Sequence, residues 1–90
     1  MKILYDPEFI NELKKLDVRI QKSFREKIAV FQNNPDDPTL DNHHLKKDYK
    51  EYSSIDITAD YRAIFKELHE GKERVYYFFT IGTHKELYKS

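Results

Sequence analysis

The segment Arg74-Val75-Tyr76-Tyr77-Phe78-Phe79-Thr80-Ile81 most constrains what this chain folds into. Seven consecutive β-branched or aromatic residues follow Arg74. Such residues fit a pleated surface, where their rings and branches pack against neighbouring strands. The run predicts a central strand whose rings serve the core on at least one face. His69-Glu70-Gly71-Lys72 before it reads as a hairpin turn, with Gly71 supplying the positive φ such turns need. Tyr61 to Leu68 is then the antiparallel neighbour. Tyr49 to Thr58 reads as a further strand, with Ser53, Ile55 and Ile57 on one face and Tyr52, Ser54 and Asp56 on the other. Ala59-Asp60 is a tight connection. Gly82 is expected to let the chain bend sharply after the last strand.

The N-terminal part has a different period. Lys2 to Tyr5 reads as a short first strand, and Asp6-Pro7 as a helix start, since Asp caps and Pro suits the first helical position. Phe9, Ile10, Leu13 and Leu16 recur at helical spacing. Asp17 opens a second helix, whose stripe is Ile20, Phe24, Ile28 and Phe31. Arg19, Lys22, Arg25, Glu26 and Lys27 fall largely off that stripe. Asn33-Asn34-Pro35 ends it, because a residue before proline is biased away from helix. Asp36 to Lys50 is polar and reads as a loop. The order β-α-α-β-β-β predicts an α+β fold, a helical hairpin packed on a small antiparallel sheet. The other face of the sheet is left partly open to a ligand.

Ninety residues are expected to form one domain, spanning 1–90. Seven Tyr and six Phe supply large buried areas to a small core. The absence of cysteine excludes a disulfide-stapled module and a thiolate zinc site. Asp41, His43, His44 and His84 lack the spacing of a metal motif, so no metal and no cofactor is expected. Met1 to Leu4 is too short an apolar start for a signal peptide, and no run approaches membrane-spanning length. The expected location is the cytoplasm, without membrane contact. Lys plus Arg and Asp plus Glu both number 16, so a basic face, if present, is local.

Two blocks carry chemistry: Asp56-Ile57-Thr58-Ala59-Asp60-Tyr61-Arg62-Ala63-Ile64-Phe65 and Thr80-Ile81-Gly82-Thr83-His84-Lys85-Glu86-Leu87-Tyr88. They set His, Asp, Arg and Tyr on or beside the sheet. Metal-free RNA cleavage needs a base for the ribose 2′-OH, an acid for the leaving oxygen and a cation for the phosphate. Histidine suits the first two roles near neutral pH. Each residue also has a plainer use. His43 and His44 suit a solvated loop, Asp60 a turn, Arg62 a paired sheet surface and Tyr88 the core.

In these blocks the chain resembles the RelE/ParE superfamily of type II toxin–antitoxin toxins, and within it the YafQ-like ribosome-dependent mRNA endoribonucleases. The resemblance covers nearly the whole chain. It implies catalytic roles for His43, preferred over His44, and for Asp60, His84 and Tyr88. It implies phosphate-binding roles for Arg62, Lys46 and Lys47. It further implies a cognate antitoxin partner, action on mRNA at the ribosome, and contact with DNA only through the antitoxin. Two positions depart from the pattern: Lys47 stands where a glycine is usual, and Asp56 where some relatives carry a histidine. The same fold also hosts gyrase poisons and antitoxin-binding members without cleavage.

Overall fold

A computed structural model describes residues 1–46 and 49–87. The lead-in Lys2–Tyr5 forms β1. Asp6 then turns the chain into α1, Pro7–Lys14, by accepting the Glu8 amide on its carboxylate at 2.9 Å. Asp17 does the same for α2, Val18–Asn33, through the Arg19 amide at 2.8 Å. These caps satisfy helix-end donors that would otherwise lack partners. The rest of the chain gives β2, His43–His44; β3, Tyr52–Asp56; β4, Tyr61–Glu70; β5, Glu73–Thr83; and a single-turn α3, His84–Leu87.

The sheet has five strands in the order β1-β5-β4-β3-β2. The aromatic run of β5 is central as predicted, flanked by β4 antiparallel and β1 parallel. The sheet is therefore mixed, because β1 reaches β5 only after the whole chain has passed through the other elements. Glu70 pairs with Glu73 across a two-residue turn, with Gly71 at φ +61°. A bulge interrupts the β4–β5 ladder. Ile64 pairs with Thr80 but Phe65 with Phe78, which leaves Phe79 as the extra residue.

The core lies between the helical hairpin and one sheet face. Phe9, Phe24 and Phe31 from the helices are buried against Ile55, Ala63, Phe65, Tyr76, Phe78 and Ile81. Phe31 meets Tyr76, Phe65 and Phe78 edge-on, with centroids 4.9, 5.2 and 5.6 Å apart, the arrangement aromatic quadrupoles favour. Ile10, Leu13, Leu16, Ile20 and Ile28 complete the predicted stripes around it.

Three segments differ from the sequence reading. The strand expected over 49–58 is confined to Tyr52–Asp56. The segment 36–50 is not all loop. Pro38–Leu40 is a 3₁₀ turn capped by Asp37, and His43–His44 pairs with Ser54 and Ser53 at the sheet edge. A two-residue edge strand has too few residues to show alternation, so polar composition hid it. Gly82 does not bend the chain: it lies within β5, opposite Arg62, and its φ is not positive. The turn after it is made by Thr83 and Glu86. The Glu86 carboxylate accepts the Thr83 amide at 2.9 Å, and the Thr83 hydroxyl accepts the Glu86 amide at 3.2 Å. This reciprocal capping box starts α3. Gly82 serves close approach instead, since a Cβ there would stand 3.2 Å from both Glu86 Oε1 and Leu87 Cδ2.

Candidate functional site

Strand alternation sorts the side chains of the sheet. Ser53, Ile55, Ala63 and Phe65 face the helices. Ser54, Asp56 and Arg62 face the other way, at the end of the sheet where α3 folds over Gly82. Arg62 is the pivot. Only 2% of it is exposed, although it lies on the face away from α1 and α2. Its Nε donates to Ser54 Oγ at 2.9 Å. Nη2 donates to the Ser54 carbonyl at 2.9 Å and to the Asp41 carbonyl at 2.8 Å. Nη1 donates to the Asp56 carboxylate, and Asp41 Oδ2 lies 3.4 Å from it. An arginine has five N–H groups in a rigid fork, and here all five point at protein acceptors.

The adjacent histidines diverge. His43 lies on the Arg62 side, half-exposed, with Nδ1 2.9 Å from the Asp41 carbonyl and 3.3 Å from Arg62 Nη2. His44 points to the helix side, where its Nδ1 meets Ser53 Oγ at 3.0 Å. There it lines a cleft of about 430 Å³ with Phe65, Glu67, Arg74 and Tyr76, which His43 also borders. One residue of strand therefore puts one imidazole on each face.

Asp60 and His84 are brought together from elements far apart in sequence. Asp60 is exposed in the β3–β4 turn, with its amide on the Thr58 hydroxyl at 3.3 Å. Its carbonyl accepts the His84 amide at 3.2 Å. His84 is exposed as the first residue of α3. Lys46 is exposed just beyond β2, and its carbonyl accepts the Tyr49 amide at 3.2 Å. Tyr88 and Lys47 lie outside the described residues. Arg62 sits beneath this region with its donors occupied, rather than on its surface. Asp56, the departure from the resemblance, is one of its ion-pair partners.

Sequence reasoning weighs Asp41 only as a metal ligand and misses its contact with Arg62, along with Ser54 and the capping box. Thr83-x-x-Glu86 was legible as a capping box, whereas nothing in the sequence marks Asp41 as a partner of Arg62. The box depresses the Glu86 pKa, first through the Thr83 amide and then through the Thr83 hydroxyl. Asp37 is likewise held low by the Thr39 hydroxyl and amide. On the face away from α1 and α2, Tyr77 donates to Asp6 at 2.9 Å, which raises the phenol's pKa. Among the described residues no group of three or more His, Cys, Asp or Glu is placed to hold a metal ion. No helix among them is long and apolar enough to cross a membrane.

The family described as "ParE toxin of type II toxin-antitoxin system, parDE" matches residues 3–88. No curated protein sequence matches. Among solved structures, the chain is similar to a YoeB/ParE toxin from Agrobacterium tumefaciens, at 21% identity and TM-score 0.75 over 93% of this chain and 99% of that one. It is similar to YafQ from E. coli strain BL21(DE3), at 22% identity and TM-score 0.75 over 97% of each. It is also similar to the RelB-RelE antitoxin-toxin complex from Methanococcus jannaschii, at 23% identity and TM-score 0.67 over 94% of each. The shared architecture is an α+β fold with two helices on a five-stranded mixed sheet.

Proposed function

The chain belongs to the ParE toxin family of type II toxin–antitoxin systems, within the RelE/ParE superfamily, and from its likeness to the YafQ and RelE members of that superfamily we propose that it cleaves mRNA in the ribosomal A site without a metal. The observation that carries this reading is the convergence on one end of one sheet face. His43 is held there beside Arg62, and α3, which begins at His84, folds over Gly82 opposite Arg62.

In the reaction proposed, the ribose 2′-oxygen attacks the adjacent phosphorus and the bond from phosphorus to the 5′-oxygen breaks. The products are a 2′,3′-cyclic phosphate and a 5′-hydroxyl. One imidazole takes the 2′-OH proton and the other delivers a proton to the leaving 5′-oxygen, with His43 and His84 sharing these roles. Asp60, one backbone hydrogen bond from His84, orients that end of the site. Tyr88 stacks on a base. Lys46 contacts phosphate directly, and Arg62 acts from below through the groups it holds. Arg62 faces two carboxylates, so the site itself brings little net positive charge. Positioning of the RNA by the ribosome compensates for that. The proposed protein partner is a cognate antitoxin, with DNA contacted only through it. Such a toxin acts in the cytoplasm.

A second reading is a member that poisons gyrase or binds its antitoxin without cleavage. It is favoured by the ParE family match and by the pairing of Arg62 with Asp41 and Asp56. Primer extension on a defined mRNA, in reconstituted translation with and without ribosomes, separates the two beside a gyrase supercoiling assay. Cuts within A-site codons that need ribosomes support the nuclease. Intact mRNA with inhibited supercoiling, from folded protein, supports the second reading.

A further inference from the structure

The groups around His43 fix more than its position. Arg62 Nη2 carries two hydrogens, and both are spent on carbonyl oxygens, Asp41 at 2.8 Å and Ser54 at 2.9 Å. His43 Nδ1, 3.3 Å away, can at most share one of them in a longer three-centre contact. The Asp41 carbonyl, 2.9 Å from that Nδ1, can only accept. A neutral His43 in this geometry therefore carries its proton on Nδ1 and leaves Nε2 with the lone pair.

We infer that Asp41 is a positioning residue whose backbone carbonyl, anchored by Arg62, locks His43 in the Nδ1–H tautomer and turns Nε2 outward as the proton acceptor. The backbone of Asp41 is built for this. It has φ 46° and ψ 49°, a left-handed conformation that non-glycine residues adopt at a cost and that Asp and Asn tolerate best. The preceding turn holds it there. The Asp41 amide donates to the Pro38 carbonyl at 3.2 Å, and Leu40 beside it is fully buried. Asn42 on the other side donates to the Pro35 carbonyl at 2.8 Å. Arg62 is fixed in turn by Ser54 and Asp56, so the clamp runs from β3 through β4 to the turn before β2. In the cleavage proposed above, this assigns His43 the base and leaves the acid to His84. That assignment rests on the nuclease reading, whereas the tautomer does not.

The test is a long-range proton–nitrogen NMR spectrum of the ¹⁵N-histidine-labelled full chain, above the pH at which imidazoles are protonated. The expected result is a protonated Nδ1 and a pyridine-type Nε2 for His43. Asp41→Asn, which keeps the left-handed backbone, retains that signature. Asp41→Val, whose β-branch disfavours it, converts His43 to the Nε2–H form or to a mixture. Its turnover number for ribosome-bound mRNA falls about 10²-fold, with KM little changed. An Nε2–H signature in the wild type overturns the inference whatever the folding of the variants, and so does an unaltered signature in a folded Asp41→Val. A protonated Nδ1 in a chain that cuts no mRNA leaves the clamp standing and removes the nuclease reading.

Discussion

Arg62 and Asp56 form the most consequential pair in the chain, and the cost of separating them follows from their surroundings. Arg62 is 2% exposed and the Asp56 side chain 34%. Asp56→Ala strands one guanidinium N–H, but Asp41 Oδ2 stays within 3.4 Å of the same nitrogen and water reaches the vacated edge. The loss is therefore that of one charge-assisted bond rather than of an isolated buried ion, about 2–3 kcal/mol. Arg62→Met is costlier. It leaves the Ser54 hydroxyl, the Ser54 carbonyl and the Asp41 carbonyl without this donor, which places it at about 3–5 kcal/mol. Once Arg62 is gone, Asp56 has less to lose, so the double variant falls short of the sum by about 1–3 kcal/mol. A domain of this size holds roughly 4–14 kcal/mol, so these losses are a large share of its stability. Urea unfolding of the four proteins closes the cycle, each kcal/mol moving the midpoint by up to about 1 M. The coupling should survive 1 M salt, unlike that of the surface pairs Lys66–Glu51 and Lys2–Glu70 at 3.7 and 3.6 Å. Additivity within about 0.5 kcal/mol would show that Arg62 is not held by Asp56, and would refute the pivot described here.

Other expectations follow from the same structure. His43→Gln lowers cleavage of ribosome-bound mRNA by about 10²–10⁴-fold with an unchanged circular dichroism spectrum, while His44→Gln, on the opposite face, leaves cleavage close to wild type. The depressed Glu86 pKa stabilises the folded α3 fully above the ordinary carboxylate range, and this contribution is lost as pH falls through the folded value. The protection factor of the Thr83 amide, measured against its intrinsic exchange rate at each pH, should fall in that acid window, and Glu86→Gln should abolish that pH dependence. Gly82→Val drives a branched side chain into Glu86 and Leu87, 3.2 Å from the Cβ position, so α3 is displaced and the His84 amide loses its protection from exchange. Phe31→Ala, at the meeting point of three edge-on rings, costs about 3–5 kcal/mol in urea melts.

Much of the fold was legible because each element carried its own period. The β5 run, the stripes of α1 and α2, their aspartate caps and Gly71 all mark local choices that the sequence makes residue by residue. The edge strand His43–His44 was not legible, since its extension depends on the free edge of β3 rather than on its own residues. Gly82 was misread because a glycine signals freedom of φ and absence of Cβ equally, and only the position of α3 decides between them. The site was legible in kind but not in arrangement. His43, Asp60, Arg62 and His84 were named, but the burial of Arg62 is set by Asp41 and Asp56, residues of ordinary loop and strand appearance. That His43 and His44 face opposite sides follows from strand alternation, imposed by their pairing with Ser54 and Ser53.

The measurement that tests the proposed chemistry most directly is end-group analysis of mRNA cut in a ribosome-bound reaction with this protein. A 2′,3′-cyclic phosphate on the upstream fragment and a 5′-hydroxyl on the downstream one, both lost with His43→Gln, is the predicted result. A 3′-hydroxyl with a 5′-phosphate, or fragments equally abundant without His43, would contradict metal-free cleavage through the ribose 2′-oxygen.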